Sequence, residues 1–214
     1  MVYFFEVRTI YRLHSFSLFA YGIAGTFVFN IMNNLPEQIR NGGFDDVLVK
    51  PVKILPYLIS SSFICNYIAH MTLSTIVMIV CFKALEIPFT IHVLFRVAGI
   101  LVWGSLIYAG LFLFVSASAF WATKIDALFN IMYFFREISY YPISIFPKVI
   151  QVIVTAVIPY GFINYFPLKE LLGKEDAAVF GNIAKWSPLV SIVFFTIACC
   201  FFNLSSKCYK STGS

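Results

Sequence analysis

Long apolar runs dominate this chain and leave few choices of fold. Residues 54–82 and 92–121 carry one charged side chain between them, Arg96, and residues 16–32 and 188–204 repeat the pattern over shorter stretches. A helix crosses a bilayer with about 20 mostly apolar residues. A soluble domain has about 25% charged residues; this chain has 12%, with 60% hydrophobic residues and 25 phenylalanines. A soluble core of 214 residues could not bury so much apolar surface. Lipid is therefore its solvent, and the expected fold is an all-α polytopic membrane protein in one transmembrane domain, 1–214.

The first run, 16–32, contains "GIAG", whose small residues let helices approach closely. A polar segment, 33–53, follows. The second run, 54–82, reads as one span. "KALEIPFTI" makes a tight connection to the third, 92–121, which ends in charge at "ATKID". Two proline-bounded apolar blocks come next, 127–140 and 149–166, then polar residues through Lys185, and the last run is 188–204.

Charge sets the orientation. Arg40, Lys50 and Lys53 place the 33–53 segment in the cytoplasm, as the positive-inside rule favours. If 127–140 and 149–166 both crossed, the tail with Lys207 and Lys210 would end outside. If together they make one crossing, it ends inside, and this is the preferred solution: a short span followed by a broken, re-entrant helical hairpin. Such irregular backbone survives at membrane depth only where protein buries it or water reaches it. The expectation is about five transmembrane helices plus a re-entrant hairpin between the last two. The protein then lies in the cytoplasmic membrane with a cytoplasmic C-terminus. Glu6, Arg8 and Arg12 interrupt the position a signal peptide's apolar region would need.

Several chemistries find no support. The net charge of +5 is scattered, with no basic run to suggest a nucleic-acid partner. "LLGKED" lacks the earlier glycine and the following Ser/Thr of a phosphate-binding loop. His14, His70 and His92 are far apart with no carboxylate at ligand spacing, and the five cysteines lack metal spacing. No metal, cofactor or catalytic residue is expected in this chain. Energy for any active transport must come from a partner or an ion gradient.

"IRNGGFDDVLVKP", residues 39–51, is the most polar, glycine-marked stretch between the apolar runs. It resembles the cytoplasmic loop of type-2 ABC exporter permeases, in the subfamily whose loop reads R-x-G-x-hydrophobic-D-x-hydrophobic-L-x-K/R-P. Arg40, Gly42, Phe44, Asp45, Leu48, Lys50 and Pro51 fit that pattern. "FW" at 120–121, "YYPISIFP" at 140–147, "IPYGFINYFP" at 158–167 and the tail "CYKSTGS" fit further motifs in the same order. Members usually have six spans; this chain shows five and begins near what resembles the segment before their second, so the usual first span is expected to be missing from it. The resemblance implies a dimer of like or unlike permeases working with two ABC ATPase subunits, which hold the ATP and Mg. It also implies a coupling helix in the 33–53 loop, seated in a groove of the ATPase, and short re-entrant helices near the outer face.

Read as physics, "LPEQIRNG" places Pro36 and Glu37 in the first turn of a helix, with Gly42 or Gly43 near its end. Phe44, Val47 and Leu48 would offer an apolar contact to a partner, and Lys50 and Lys53 also suit headgroup anchoring. The bland reading is an ordinary polar loop. Arg136 and Glu137 lie in apolar sequence, either on a translocation path or at the interface near Tyr140; as neighbours on a helix they point about 100° apart. Residues 140–185 form an outer region whose Tyr141, Pro142, Pro147, Pro159 and Pro167 are candidates for a gate or for membrane anchoring. An ion-coupled secondary transporter and a non-transporting assembly protein remain the alternative functions.

Overall fold

The computed structural model describes residues 2–84, 90–122, 125–173 and 183–209, with side chains from residue 10 onward. All regular structure among them is helical. Four helical segments are long and apolar enough to cross a membrane: Ile10–Arg40, Cys65–Lys83, Ile91–Ser118 and Ala184–Ser206. A fifth candidate is a bent pair, Lys148–Val157 with Tyr160–Leu171, whose two arms meet at 75°.

Two of the four form the centre. Two-thirds of the apolar windows of Ile10–Arg40 and Ile91–Ser118 is buried (67% in each), against 11% for Cys65–Lys83 and 28% for Ala184–Ser206. The outer pair shows lipid-facing side chains such as Ile76, Val80, Ile192 and Ile197. The first central element is α1 (Val2–Ala24), which runs through a π-helical turn (Gly25–Phe29) into α2 (Asn30–Arg40). Its partner is α6 (Ile91–Ser118). Small residues set their spacing. At Gly104 of α6, an added Cβ would come within 2.9 Å of the Ile163 carbonyl oxygen and 3.2 Å of the Ala20 Cβ. Gly22 and Gly25 likewise admit Met71 and Tyr67 of the neighbouring span, so "GIAG" is a close-packing face as read. Gly110 admits Phe194 of α10 (Ser187–Ser206), and Phe114 stacks on Phe194 and Phe201.

Two sequence expectations need correction. Residues 33–40 are not loop: α2 continues the first span to Arg40, with Pro36 inside it rather than in its first turn. A proline mid-helix loses one backbone hydrogen bond, but Ile31, Met32 and Leu35 are buried and hold the helix in register. The second span is not continuous either. It is broken between α4 (Ile54–Ser61) and the segment starting at Cys65, which leads into α5 (Ile68–Lys83). At the break the Ser60 and Ser61 hydroxyls donate back to the Tyr57 and Leu58 carbonyls, and the Ile64 N–H donates to the Thr26 carbonyl at 3.1 Å. That carbonyl lies in the π-helical turn, so two irregular backbones satisfy each other.

The 127–140 block is α7 (Asp126–Ile138). At 1.5 Å per residue it covers about 20 Å, short of the roughly 30 Å hydrocarbon core. The 149–166 block is the bent pair: α8 (Lys148–Val152), a π-helical turn (Ile153–Val157), a 3₁₀ turn (Tyr160–Phe162) and α9 (Tyr165–Leu171). Buried Asn164 ties it in. Its Nδ2 donates to the carbonyls of Leu13 on α1 and Ser139 after α7, both at 2.9 Å. The Tyr160 hydroxyl donates to the Met132 carbonyl of α7 at 3.0 Å.

Gly104→Ala is expected to destabilise the bundle, by about 1–3 kcal/mol as over-packing does. Gly99→Ala should be nearly silent, since its Cβ would meet only the Trp103 ring at 3.5 Å. Thermal melting of both variants in detergent checks the contrast.

Candidate functional site

The polar segment that follows α2 is held from behind. Gly42 takes a φ of 75°, in the left-handed region where a side chain is strained, and ends the helix. The chain then turns back, and the Phe44 N–H donates to the Gln38 carbonyl at 3.2 Å. Phe44 is fully buried between Phe120, at the end of α6, and Tyr209, just past α10, at ring-centroid distances of 5.2 and 4.9 Å. Trp121 adds a hydrogen bond from Nε1 to Ser205 Oγ at 3.0 Å. The loop, the end of α6 and the end of α10 therefore share one end of the bundle.

A short helix, α3 (Asp45–Leu48), follows, with Asp45 and Asp46 at its N-terminus, where the helix dipole favours negative charge. Phe44 and Val47 turn inward, so of the three apolar residues expected to face a partner only Leu48 is exposed. Val49, 82% exposed, and Val52 join it, and nothing in the sequence separates these outward valines from inward Val47. Glu37, Arg40 and Pro51 are exposed. Lys50 is exposed too, with its Nζ 5.2 Å from the centre of the Tyr57 ring. Behind this surface, a polar cavity of about 260 Å³ lies between α2 and α4, lined by Asn30, Asn34, Gln38 and Tyr57.

Arg136 sits elsewhere, half-buried against the central helices. Its guanidinium lies 4.8 Å from the Tyr21 ring centre and 4.9 Å from that of Tyr133. Tyr21 packs edge-on against Tyr108 and Phe112 of α6, each at 5.4 Å. The Tyr108 hydroxyl meets Ser17 Oγ at 2.6 Å. Tyr21 and Tyr108 belong to the two central segments, so Arg136 packs against the centre of the bundle. Glu137 is exposed, with its carboxylate near enough to act on Tyr140. The prolines sit at breaks: Pro142 and Pro147 precede short helices, Pro159 lies at the 75° bend, and Pro167 is in the first turn of α9. Pro159 and Pro167 are buried, whereas Tyr141 and Pro147 are exposed.

The sequence matches the model of the ABC-2 family transporter proteins over residues 4–213. The chain belongs to this family of transporters. No curated protein and no solved structure matches it. The ABC-2 chain is thus the membrane-embedded part of a transporter, and the order of motifs around "IRNGGFDDVLVKP" pointed to the right family.

Two outcomes follow for the loop end. Phe44→Ala in the ABC-2 chain should cost about 3–5 kcal/mol locally and speed hydrogen exchange across residues 42–51, whereas Val49→Ala should change neither. Burial, and then the Asp45 carboxylate beside it, push the Tyr209 phenol above its ordinary value. The folded tail holds this proton more tightly than a free tyrosine, so its docking weakens as pH rises beyond about 10. Asp45→Asn should bring the phenol down, as read by NMR titration of a ring-labelled Tyr209.

Proposed function

We propose that this chain is the permease subunit of an ATP-driven exporter, moving its substrate on ATP hydrolysed by separate ABC ATPase subunits. The reading joins family membership to one observation: a short helix, α3, presented at the end of the bundle and fixed from behind by Phe44. A partner that pushes on this helix pushes on a braced element. Its load passes through Phe44 to the ends of α6 and α10, and through Gly42 to the long helix α2–α1. Leu48, Val49 and Val52 supply the apolar contact, and Glu37, Arg40, Asp46 and Lys50 surround it with charge.

In this reading the loop end is cytoplasmic, so the C-terminus, held to Phe44 through Tyr209, is cytoplasmic too. The protein sits in the cytoplasmic membrane and pairs with a second permease, like or unlike. ATP and Mg are bound by the ATPase. The bent pair and its prolines form the outer gate.

The test is co-purification with candidate ABC ATPases, followed by transport in proteoliposomes. Asp45→Lys, or deletion of residues 39–50, should abolish complex formation and ATP-dependent transport. If both variants keep the complex and the transport, the coupling assignment fails. Transport that ignores ATP and collapses with an uncoupler would instead support ion coupling.

A further inference from the structure

Among the described residues, Arg136 is a cation without an anion. Tyrosines crowd its charge: the ring centres of Tyr21 and Tyr133 lie 4.8 and 4.9 Å from the guanidinium, Tyr140 and Tyr108 stand near it, and His14 lies within its field. No carboxylate among the described residues pairs with it, and its Nε is buried without a hydrogen-bond partner. Rings and hydroxyl dipoles stabilise a guanidinium but leave its full charge in place. A charge at membrane depth is costly, and such residues are kept where they meet an ion, a substrate or a partner charge. A guanidinium presents a planar fork of donors, shaped for the paired oxygens of a phosphate or carboxylate.

The surroundings suit such a guest. Tyr21 and Tyr108 are buried and hold the floor, and Tyr133 and Tyr140 are only half-buried. The His14 ring packs 4.3 Å from that of Tyr140 and stiffens the rim. Arg136 itself is half-buried, so the cluster stays open on one side. Tyr21 belongs to the same continuous helix that ends at the docking loop, so an occupant here would sense that helix move.

We infer that Arg136, with Tyr21, Tyr133 and Tyr140, forms a receptor for an anionic group, a phosphate or carboxylate, on the molecule the permease moves. This rests on the permease reading and names its substrate class. The same chemistry would be met by the phosphate of a resident lipid, so the experiment separates the two sources.

The full chain is placed in phosphatidylcholine nanodiscs and titrated with decyl phosphate, with decyl maltoside and decyltrimethylammonium as neutral and cationic controls. Saturable binding of decyl phosphate alone is expected. Arg136→Gln should weaken it at least tenfold, and Arg136→Lys, which keeps the charge but not the fork, should fall between. Native mass spectrometry of protein drawn from cells gives the second arm. A phospholipid retained by the wild type, lost in Arg136→Gln and not displaced by decyl phosphate would make the site a lipid seat and overturn the substrate assignment. Equal binding of all three probes, or decyl phosphate binding untouched by Arg136→Gln, would overturn the receptor itself. So would absent binding together with a dimer that dissociates in Arg136→Gln, because a partner subunit's carboxylate would then be the missing anion. Binding needs no ATPase: loss of binding with the ATPase complex intact sinks this inference alone, whereas loss of the complex with binding intact sinks only the coupling reading.

Discussion

Within a bilayer no water is at hand to satisfy a broken helix, and two breaks among the described residues answer to that constraint. The break in the second span gives its Ile64 N–H to the Thr26 carbonyl in the π-helical turn of the first. The bent pair is fastened by Asn164, whose amide reaches the carbonyls of Leu13 and Ser139, and by the Tyr160 hydroxyl on the Met132 carbonyl. Each bond joins one irregular segment to a different helix. The kinks are therefore mutual supports, and removing one partner would strand a polar group in an apolar medium.

Tyrosine is the second recurring solution. Its ring packs like phenylalanine while its hydroxyl reaches a polar group. Tyr108 fills the centre against Tyr21 and Phe112, yet its hydroxyl bonds Ser17. This pattern lets a cation, Arg136, sit against the central helices without collapsing the packing around it. At the loop end, Phe44 does the same organising work with pure ring contact. It locks the polar segment to α6 and to the tail, and its burial turns an exposed loop into a fixed platform.

Much of this was legible in the residues. The apolar runs gave the third and last spans to within a few positions, His92–Trp121 against Ile91–Ser118 and Pro188–Leu204 against Ser187–Ser206. The prolines marked the broken region, and Gly42 marked the end of a helix. The errors had physical causes. Pro36 and Glu37 looked like a helix's first turn, but tertiary burial of Ile31, Met32 and Leu35 overrode that local signal. The 54–82 run carries no charge to betray its break; the accepting carbonyl lies some forty residues earlier, on another helix.

The sequence by itself determined the solvent, the helical class, the family resemblance and the segments that punctuate the spans. All of these follow from local composition and from the reach of one helix across a bilayer. Only the tertiary structure decided which side chains of the polar loop turn inward, because Phe120 and Tyr209, far away in the chain, complete the pocket for Phe44. It also decided what Arg136 meets. A charged residue inside an apolar block can face any neighbour, and here it lies over the ring of Tyr21, more than a hundred residues away.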